Sequence, residues 1–427
     1  MKRQLSVSIG LVLCGFASSA WALTDLETNS NIPFSFLNPG ARSLGMGSAF
    51  VGLADDATAA FTNPAGLTQL VQREVSIEGR YSNVTETYVN GGSATLDPFS
   101  TAGLNHSDTS NSRTLPSFIS IVWPLEHASI AAYRHELTKF STHFSSSGAN
   151  LTIESPDDFT LAPFDGSIDL HIVDYSLAAA FKANDMMSFG VTVSYYNFDF
   201  DATRTQFGDQ PGSIDNTIVD HGTDEALGAT FGLRLRFNDQ WSAGLAYRMS
   251  PRFGYTETQF AEDCTNGTCA QIDTKLRVPD VLSLGLSWRP LETLVINADA
   301  DYIRYAQITN DIKTTFQYDD PIATLSPLHI PNGTEFHVGG EYTFINMEHP
   351  LSIRGGVWHD PRHSIGFNGT PIDGDGLAEA TAFSGGVGSE THVALGLGMA
   401  FKDFQIDAAA DHSSKSDTVS ISAVYRF

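Results

Sequence analysis

Residues 224–249 read DEALGATFGLRLRFNDQWSAGLAYRM and contain two segments in which apolar and polar residues alternate. Every second residue of 227–237 is Leu, Ala or Phe, and the residues between them are Gly, Thr and Arg. Residues 241–249 alternate in the same way. A period of two predicts β-strands with one apolar face, and the polar residues 238–240 have the length of a hairpin turn.

The same alternation extends from residue 73 to the C-terminal segment TVSISAVYRF at 418–427. We count about 14 such segments, an even number, as in bacterial outer-membrane barrels. Short connections fall at 124–126, 183–186, 238–240, 289–292, 346–350 and 402–403. Long ones are predicted at 90–116, 144–167, 202–222, 260–274, 309–332 and 360–389, and the short turn at 413–416 is the one exception. Short and long connections therefore alternate along the chain, as expected for a barrel with tight turns at one end and long loops at the other. A soluble β-sandwich is not expected to show this alternation.

The predicted fold is therefore all-β, a transmembrane antiparallel barrel of about 14 strands. Beyond residue 22, no apolar run reaches the roughly 20 residues that a membrane-spanning helix needs. A closed barrel is then the structure that satisfies backbone groups in lipid. The terminal Phe427 fits an assembly signal, which predicts the barrel-assembly machinery as a partner. Aromatic residues near strand ends are candidates for the interfacial girdles, with ordinary β propensity as the alternative: Trp241, Trp288, Tyr302, Tyr305, Tyr342 and Trp358.

The first 22 residues predict a secretory signal peptide. Lys2 and Arg3 precede an apolar run, and AWA at 20–22 has the small-x-small form of a cleavage site. The whole chain carries 24 Lys+Arg against 49 Asp+Glu, a formal charge of −25. Removal of Lys2 and Arg3 would make it about −27, and so acidic a chain is not expected to bind nucleic acid.

Cys264 and Cys269 lie in the polar stretch EDCTNGTC, and in an exported chain such a pair predicts a disulfide. A metal site is the alternative, but no further ligands stand beside them at suitable spacing. His359, Asp360 and His363 could also hold a metal and likewise lack further ligands, so no metal and no cofactor are predicted. The chain contains neither GxSxG nor HExxH, which favours a protein that is not an enzyme.

Residues 38–67, NPGARSLGMGSAFVGLADDATAAFTNPAGL, are rich in small residues and contain two Asn-Pro turns. Between the turns, DDATAAFT predicts a short helix capped by Asp55 or Asp56 and closed by Pro64. A compact segment of this kind would fit inside a barrel. We therefore predict three parts: a signal peptide at 1–22, an N-terminal hatch at 23–70 that plugs the lumen, and the barrel at 71–427. The alternative is a periplasmic tail that packs nowhere.

This front segment resembles that of the FadL-type outer-membrane transporters for long-chain fatty acids and aromatic hydrocarbons. The resemblance continues in LPSFISIVWPL at 115–125, in the stretch 278–307, in EFHVGGEYTF at 335–344, in LSIRGGVWHDP at 351–361 and in the terminal VYRF. It implies a 14-stranded barrel closed by a hatch, whose NPA motif is Asn63, Pro64 and Ala65. It also implies a gap in the wall at a kinked early strand. Pro116 and Pro124 mark weak pairing without locating the kink.

The predicted function is passive uptake of hydrophobic molecules such as fatty acids, by loop capture, binding in a lumenal pocket, a shift of the hatch and lateral release. Candidate substrate-binding residues are the loop residues Phe159, Leu161, Phe164, Phe316 and Leu325 and, for a carboxylate head group, Arg248 and Arg354. The two arginines could instead pair with Asp299, Asp301 or Asp407. We expect a monomer that contacts outer-membrane lipid and lipopolysaccharide. The alternatives are a structural or docking barrel and a barrel lipid hydrolase.

Overall fold

The computed structural model describes residues 34–153, 159–208, 213–261, 267–309, 328–367, 369–371, 374–386 and 388–427. The predicted signal peptide, with cleavage after Ala22, lies outside these residues, as does the first part of the predicted hatch. Both stay predictions.

The chain forms a closed antiparallel barrel of 14 strands, which confirms the predicted fold. The strands are β1 (Glu74–Thr95), β2 (Ser100–Pro124), β3 (Ala128–Ser146), β4 (Phe164–Lys182), β5 (Met187–Phe207), β6 (Ile214–Arg236), β7 (Trp241–Met249 and Arg252–Phe260), β8 (Thr268–Arg277 and Val281–Leu291), β9 (Leu294–Ile303), β10 (Gly333–Phe344), β11 (Leu351–Asp360), β12 (Glu390–Ala400), β13 (Phe404–His412) and β14 (Ser416–Arg426). β1 pairs with β14 from Glu74↔Arg426 to Val84↔Ser416, and this pairing closes the barrel.

The remaining elements are short. The helices are α1 (Ala41–Gly45), α2 (Ala59–Thr62) and α3 (Gly374–Ala382), with 3-10 turns at Pro64–Gln69, Tyr305–Gln307 and Phe383–Gly385. Short strands occupy Ala149–Thr152, Phe159–Leu161, Leu328–His329 and Gly366–Phe367. In the part of the chain that the structure describes, none of the helices has the length and apolar character needed to cross a membrane.

The two faces of the wall differ as the alternation predicts. Large apolar side chains such as Leu227, Phe231 and Leu395 project outwards and are more than half exposed, whereas the alternate positions face inwards and are mostly small or polar. Trp241 and Trp288 stack on the outer face beside the short turns, with ring centroids 5.3 Å apart. The outer face is therefore the one that meets lipid.

Two of the predicted girdle residues, Tyr305 and Trp358, are instead buried inside the barrel. Trp358 occupies an inward position of β11, and its indole N–H donates to Asp411 Oδ2 at 2.9 Å. A position near a strand end therefore does not show whether an aromatic side chain points to lipid or into the lumen.

Several predicted long loops are largely strand. Most of 90–116 belongs to β1 and β2, which are joined by a short turn at 96–99, and β3–β8 likewise extend into the predicted loops 144–167, 202–222 and 260–274. The prediction was wrong there because Ser, Thr and Asn occupy both faces of these extensions, so the apolar period disappears while the backbone continues to pair. The predicted loop at 309–332 lies mostly outside the described residues.

Candidate functional site in the barrel lumen

Residues 34–70, here called the lumenal segment, contact inward-facing side chains of several strands. The backbone N–H of Ala41 donates to Ser422 Oγ of β14 at 3.0 Å. Hydroxyls of β2, β5 and β7 donate to the segment's carbonyls, as Thr192 Oγ1 does to Ala60 O at 3.0 Å. The whole stretch 38–67 is buried apart from partly exposed Arg42 and Asp55. These contacts place the segment inside the barrel.

The predicted helix in DDATAAFT is shorter than expected. Only Ala59–Thr62 is helical, and Asp56 accepts hydrogen bonds from the backbone N–H and the hydroxyl of Thr58 at 2.9 and 2.6 Å. Asp56 therefore stabilises the turn ahead of α2, because a short Asx side chain competes for nearby backbone donors.

The NPA residues join the lumenal segment to the wall. Asn63 Oδ1 accepts from the N–H of Ala65 at 3.2 Å, which caps the turn that Pro64 begins. Asn63 Nδ2 donates to Val51 O at 3.2 Å and to Leu233 O in β6 at 3.1 Å. Asn63 is fully buried, so its amide satisfies backbone groups that water does not reach.

A row of inward-facing glycines forms the surface against which the lumenal segment packs. A Cβ at any of them would overlap or crowd the segment: Gly190, Gly232, Gly244, Gly285, Gly339, Gly356 and Gly396. Gly339 opposes Gly356 across β10 and β11, and both lie against the backbone of Met46. This row was not predicted from the sequence, although glycines recur on the polar face of these strands.

An ion-pair network links the segment to β10, β11 and β13. The Arg42 guanidinium contacts Glu341 at 2.9 Å and Asp55 at 2.6 Å. Arg354 contacts Glu341 at 2.6 Å and Asp407 at 2.8 Å, and its side chain is fully buried. Arg354 thus pairs with Asp407, one of the internal partners predicted as alternatives to a bound carboxylate.

Arg248, the other predicted head-group ligand, contacts the lumenal segment. Its guanidinium lies 3.8 Å from the centroid of the Phe61 ring and donates to Phe61 O at 3.3 Å. Such a cation–π contact stabilises the packing of α2 against the wall.

Beside the segment, the lumen contains a large cluster of buried apolar side chains from β3–β9 and the adjoining loops. We call it the apolar cluster; its members include Phe36, Leu137, Phe140, Leu170, Phe198, Phe200, Phe253, Leu276 and Ile303. The rings of Phe198 and Phe253 stack with centroids 4.7 Å apart. Phe34 and Phe36, at the start of the described chain, pack into this cluster.

Two cavities adjoin the apolar cluster. The apolar cavity, of about 90 Å³, is lined by the predicted capture residues Leu161 and Phe164, together with residues that include Phe144, Ile168 and Phe383. The polar cavity, of about 170 Å³, is lined by residues that include Phe36, Glu335, Trp358, His363 and His392. Phe316 and Leu325 lie outside the described residues, as does the side chain of Phe159.

The ladder pairing of β2 and β3 ends partway along the two strands. The two strands pair from Pro124↔Ser129 to Phe118↔His135, and among the described residues no ladder pair joins them beyond that point. Two features interrupt regular pairing there: Pro116 has no N–H to donate, and β3 carries a bulge at Leu137. We call the stretch between 109–117 and 136–142, over which no ladder pair of β2 with β3 is described, the lateral window.

Polar contacts border the lateral window. Arg134 Nη1 donates to Pro116 O at 2.7 Å on one side, and the hydroxyls of Thr109 and Thr142 lie 3.3 Å apart on the other. Leu137 and Phe140, both in the apolar cluster, belong to the stretch of β3 that borders it. The window is therefore adjacent to the apolar interior.

Three further predictions concern the cysteine pair, the C-terminal residue and His363. Cys264 is outside the described residues, so the disulfide with Cys269 stays a prediction. Phe427 is half exposed, stacks on Tyr425 and donates its N–H to Arg73 O at 3.0 Å. His363 Nδ1 contacts Asp360 Oδ1 at 3.1 Å; burial would lower the pKa of His363, but the hydrogen bond and charge of Asp360 raise it above its ordinary value.

Comparison with known proteins gives one family and several similar structures. Residues 37–365 match the family model described as "Outer membrane protein transport protein (OMPP1/FadL/TodX)". A Pseudomonas aeruginosa FadL homologue aligns with a TM-score of 0.66 at 15% identity over 92% of this chain and 99% of that one. The Ralstonia pickettii toluene transporter TbuX and the CymD monoaromatic hydrocarbon channel align with TM-scores of 0.58 and 0.59, each at 14% identity over 92% of this chain and 99% of theirs. At such identities the likeness shows the fold alone, and no curated protein matches the sequence.

Proposed function

Because the chain belongs to the OMPP1/FadL/TodX family of outer membrane transport proteins, we propose that it takes up hydrophobic molecules, such as long-chain fatty acids, and releases them sideways into the outer membrane. The family and the barrel place the protein in the outer membrane. Members of the family are transporters and not enzymes, which argues against the alternative of a lipid hydrolase.

The observation that supports the proposal is the combination of an occupied lumen and an apolar interior beside the stretch where β2 and β3 are not paired. Residues 34–70 fill the barrel in the region of the glycine row, so a water-filled path for polar solutes is not expected there. The apolar cluster, by contrast, adjoins the lateral window through Leu137 and Phe140. A hydrophobic solute would leave along this side route and not through the part of the lumen that the lumenal segment occupies.

Capture would begin at the apolar cavity. Leu161 and Phe164 line it, and Phe159, Phe316 and Leu325 stay proposed capture residues. Each buried CH₂ group contributes roughly 0.8 kcal/mol, so a chain of about ten methylenes binds without many polar contacts. Arg248 and Arg354 stay proposed partners of a carboxylate head group, and an uncharged hydrocarbon would need neither.

Release would require the lumenal segment to act as a hatch. A ligand shifts a two-state equilibrium only by its difference in affinity for the two states. Phe34 and Phe36 pack into the apolar cluster, so a molecule bound there competes with them for the same contacts. We propose that this competition loosens the hatch as the cargo binds.

Uptake by whole cells tests the proposal. In a strain without its own fatty acid transporter, uptake of labelled oleate and of toluene is measured for the wild type, Phe164→Asp and the control Phe99→Asp, whose ring is partly exposed in the short turn between β1 and β2. Loss of one buried aromatic contact should reduce uptake about 10- to 100-fold in Phe164→Asp. Equal uptake by the wild type and Phe164→Asp would contradict the capture step, and the preferred compound identifies the cargo.

A further inference from the structure

Three ligating side chains meet in the lumen where β9 and β10 pair. Asp301 lies directly opposite Glu335, and His337 follows two residues later on the same face of β10. One atom from each can be chosen so that all three lie within 4.8 Å of one another. His337 Nε2 is 3.3 Å from Glu335 Oε2 and 3.6 Å from Asp301 Oδ2. The histidine is 1% exposed and both carboxylates are buried.

Two of these groups are oriented by a second partner. His337 Nδ1 lies 2.8 Å from Gly47 O in the lumenal segment, and a carbonyl can only accept, so Nδ1 carries the hydrogen. In the neutral ring this leaves the lone pair of Nε2 directed at the two carboxylates. Tyr305 donates its hydroxyl to Glu335 Oε1 at 3.1 Å, which leaves Oε2 on the side of His337. Partners of this kind hold histidine and carboxylate ligands at metal centres.

The cluster is incomplete without a further group. Within the described residues, neither His337 Nε2 nor Asp301 Oδ1 makes a hydrogen bond. Two buried carboxylates beside a lone pair are costly unless a positive charge lies between them. A metal ion would supply that charge, and so would a second proton on the imidazole.

We propose that Asp301, Glu335 and His337 bind a divalent transition-metal ion of the Zn²⁺ type. Ligands at about 2.0–2.2 Å from tetrahedral zinc lie roughly 3.4 Å apart, which agrees with the 3.3 and 3.6 Å spacings here. A nitrogen ligand disfavours Ca²⁺ and Mg²⁺, which prefer oxygen. Glu335 also lines the polar cavity of about 170 Å³, which provides a route to the site.

The bound ion would connect the wall to the lumenal segment. With Nε2 on the metal, the ring keeps its hydrogen on Nδ1 and donates it to Gly47 O. The site would therefore strengthen the attachment of residues 34–70, and it depends neither on the cargo nor on the lateral route. Spacing rules did not reveal it because Asp301 belongs to a different strand from the other two ligands.

The test uses the full-length protein in detergent, without a polyhistidine tag, stripped of metal by chelation and titrated with Zn²⁺ alone. We expect one ion per chain by calorimetry and native mass spectrometry, with at least 100-fold weaker binding for His337→Gln and Asp301→Asn. His135→Gln is the matched control, because His135 is also buried but pairs with Asp174 at 3.1 Å and does not line the polar cavity; its affinity should stay within threefold of the wild type.

Absence of a stoichiometric ion, or equal affinity in His337→Gln, would overturn the proposal. If the variants do not fold, anomalous diffraction at the zinc edge from wild-type crystals gives the answer. A peak among the three side chains supports the site, and a peak only elsewhere, or none, refutes it. Histidine NMR that shows both ring nitrogens of His337 protonated in saturating Zn²⁺ would also refute it.

Discussion

Gly356 and its neighbour Gly355 in β11 give a matched pair of residues on opposite faces of the wall. A Cβ on Gly356 would overlap the backbone of Met46 and Gly47, whereas one on Gly355 would only touch Leu395 Cδ2 at 3.9 Å. Backbone cannot move aside as a flexible side chain can, so Gly356→Ala should destabilise the protein by about 1–3 kcal/mol. Gly355→Ala should be neutral or slightly stabilising. Urea unfolding in lipid vesicles measures the free energy of unfolding of both variants. Equal losses of stability would contradict the close contact of Gly356 with the lumenal segment.

His363 provides a pH-dependent contact in the loop after β11. Asp360 raises its pKa in the folded state despite the opposing effect of burial. The folded protein then binds the proton more tightly than the unfolded chain. The contact therefore contributes its full stabilisation of the folded state below about pH 6.5, and this stabilisation is lost as the pH rises through the folded-state pKa. The melting temperature should fall more for His363→Gln at pH 5.5 than at pH 9.5. The control His127→Gln, in an exposed turn, should show no such difference, and a pH-independent deficit in His363→Gln would contradict the assignment.

At the scale of elements, the alternating pattern predicts the strand segments that cross lipid. It does not predict the extensions of these strands, such as 100–112 of β2. In 224–249 the alternate residues are apolar because they meet lipid, and the pattern therefore predicts strand and face together. Ser, Thr and Asn in 100–112 of β2 carry no such signal, although the same backbone pairing continues. The bulge at Leu137 is equally invisible, since a bulge depends on the register with the partner strand.

Deletion of Leu137 tests the role of this bulge in the lateral window. Leu137 is the extra residue in β3 relative to β4, and without it the β3–β4 register should continue without interruption. We expect β3 to straighten towards β2, the window to narrow and hydrophobic uptake to fall at least tenfold, with normal barrel assembly by heat-modifiable electrophoresis. Leu137→Ala keeps the bulge and serves as the control. Undiminished uptake in the deletion would show that cargo leaves elsewhere.

At the scale of the whole molecule, the candidate site is assembled by register around the barrel. Leu161 and Phe164, named as capture residues from composition alone, line the apolar cavity, and their role in capture stays a proposal. Asp407 was among the predicted partners of Arg354, but Glu341 was not, because only the pairing Glu341↔Arg354 of β10 and β11 brings them together. The glycine row and the Asp301–Glu335–His337 cluster can likewise be recognised only when the pairing register of the strands is known. Local pattern thus predicts what each strand contains, and closure of the barrel decides which residues meet.

Deletion of residues 34–70, with 1–33 retained, tests whether the lumenal segment closes the barrel. Its removal would expose a lumen lined by the row of glycines and by charged groups such as Glu341, Arg354 and Asp407, and such a lumen would fill with water. In planar bilayers we expect steady conductance steps from the deletion variant and none from the wild type at the same protein concentration. Asn63→Ala, which loses the hydrogen bonds to Val51 and Leu233, should give brief, infrequent openings. Equal conductance of the wild type and the deletion variant would mean that another part of the chain closes the lumen, and the hatch proposal would then fail.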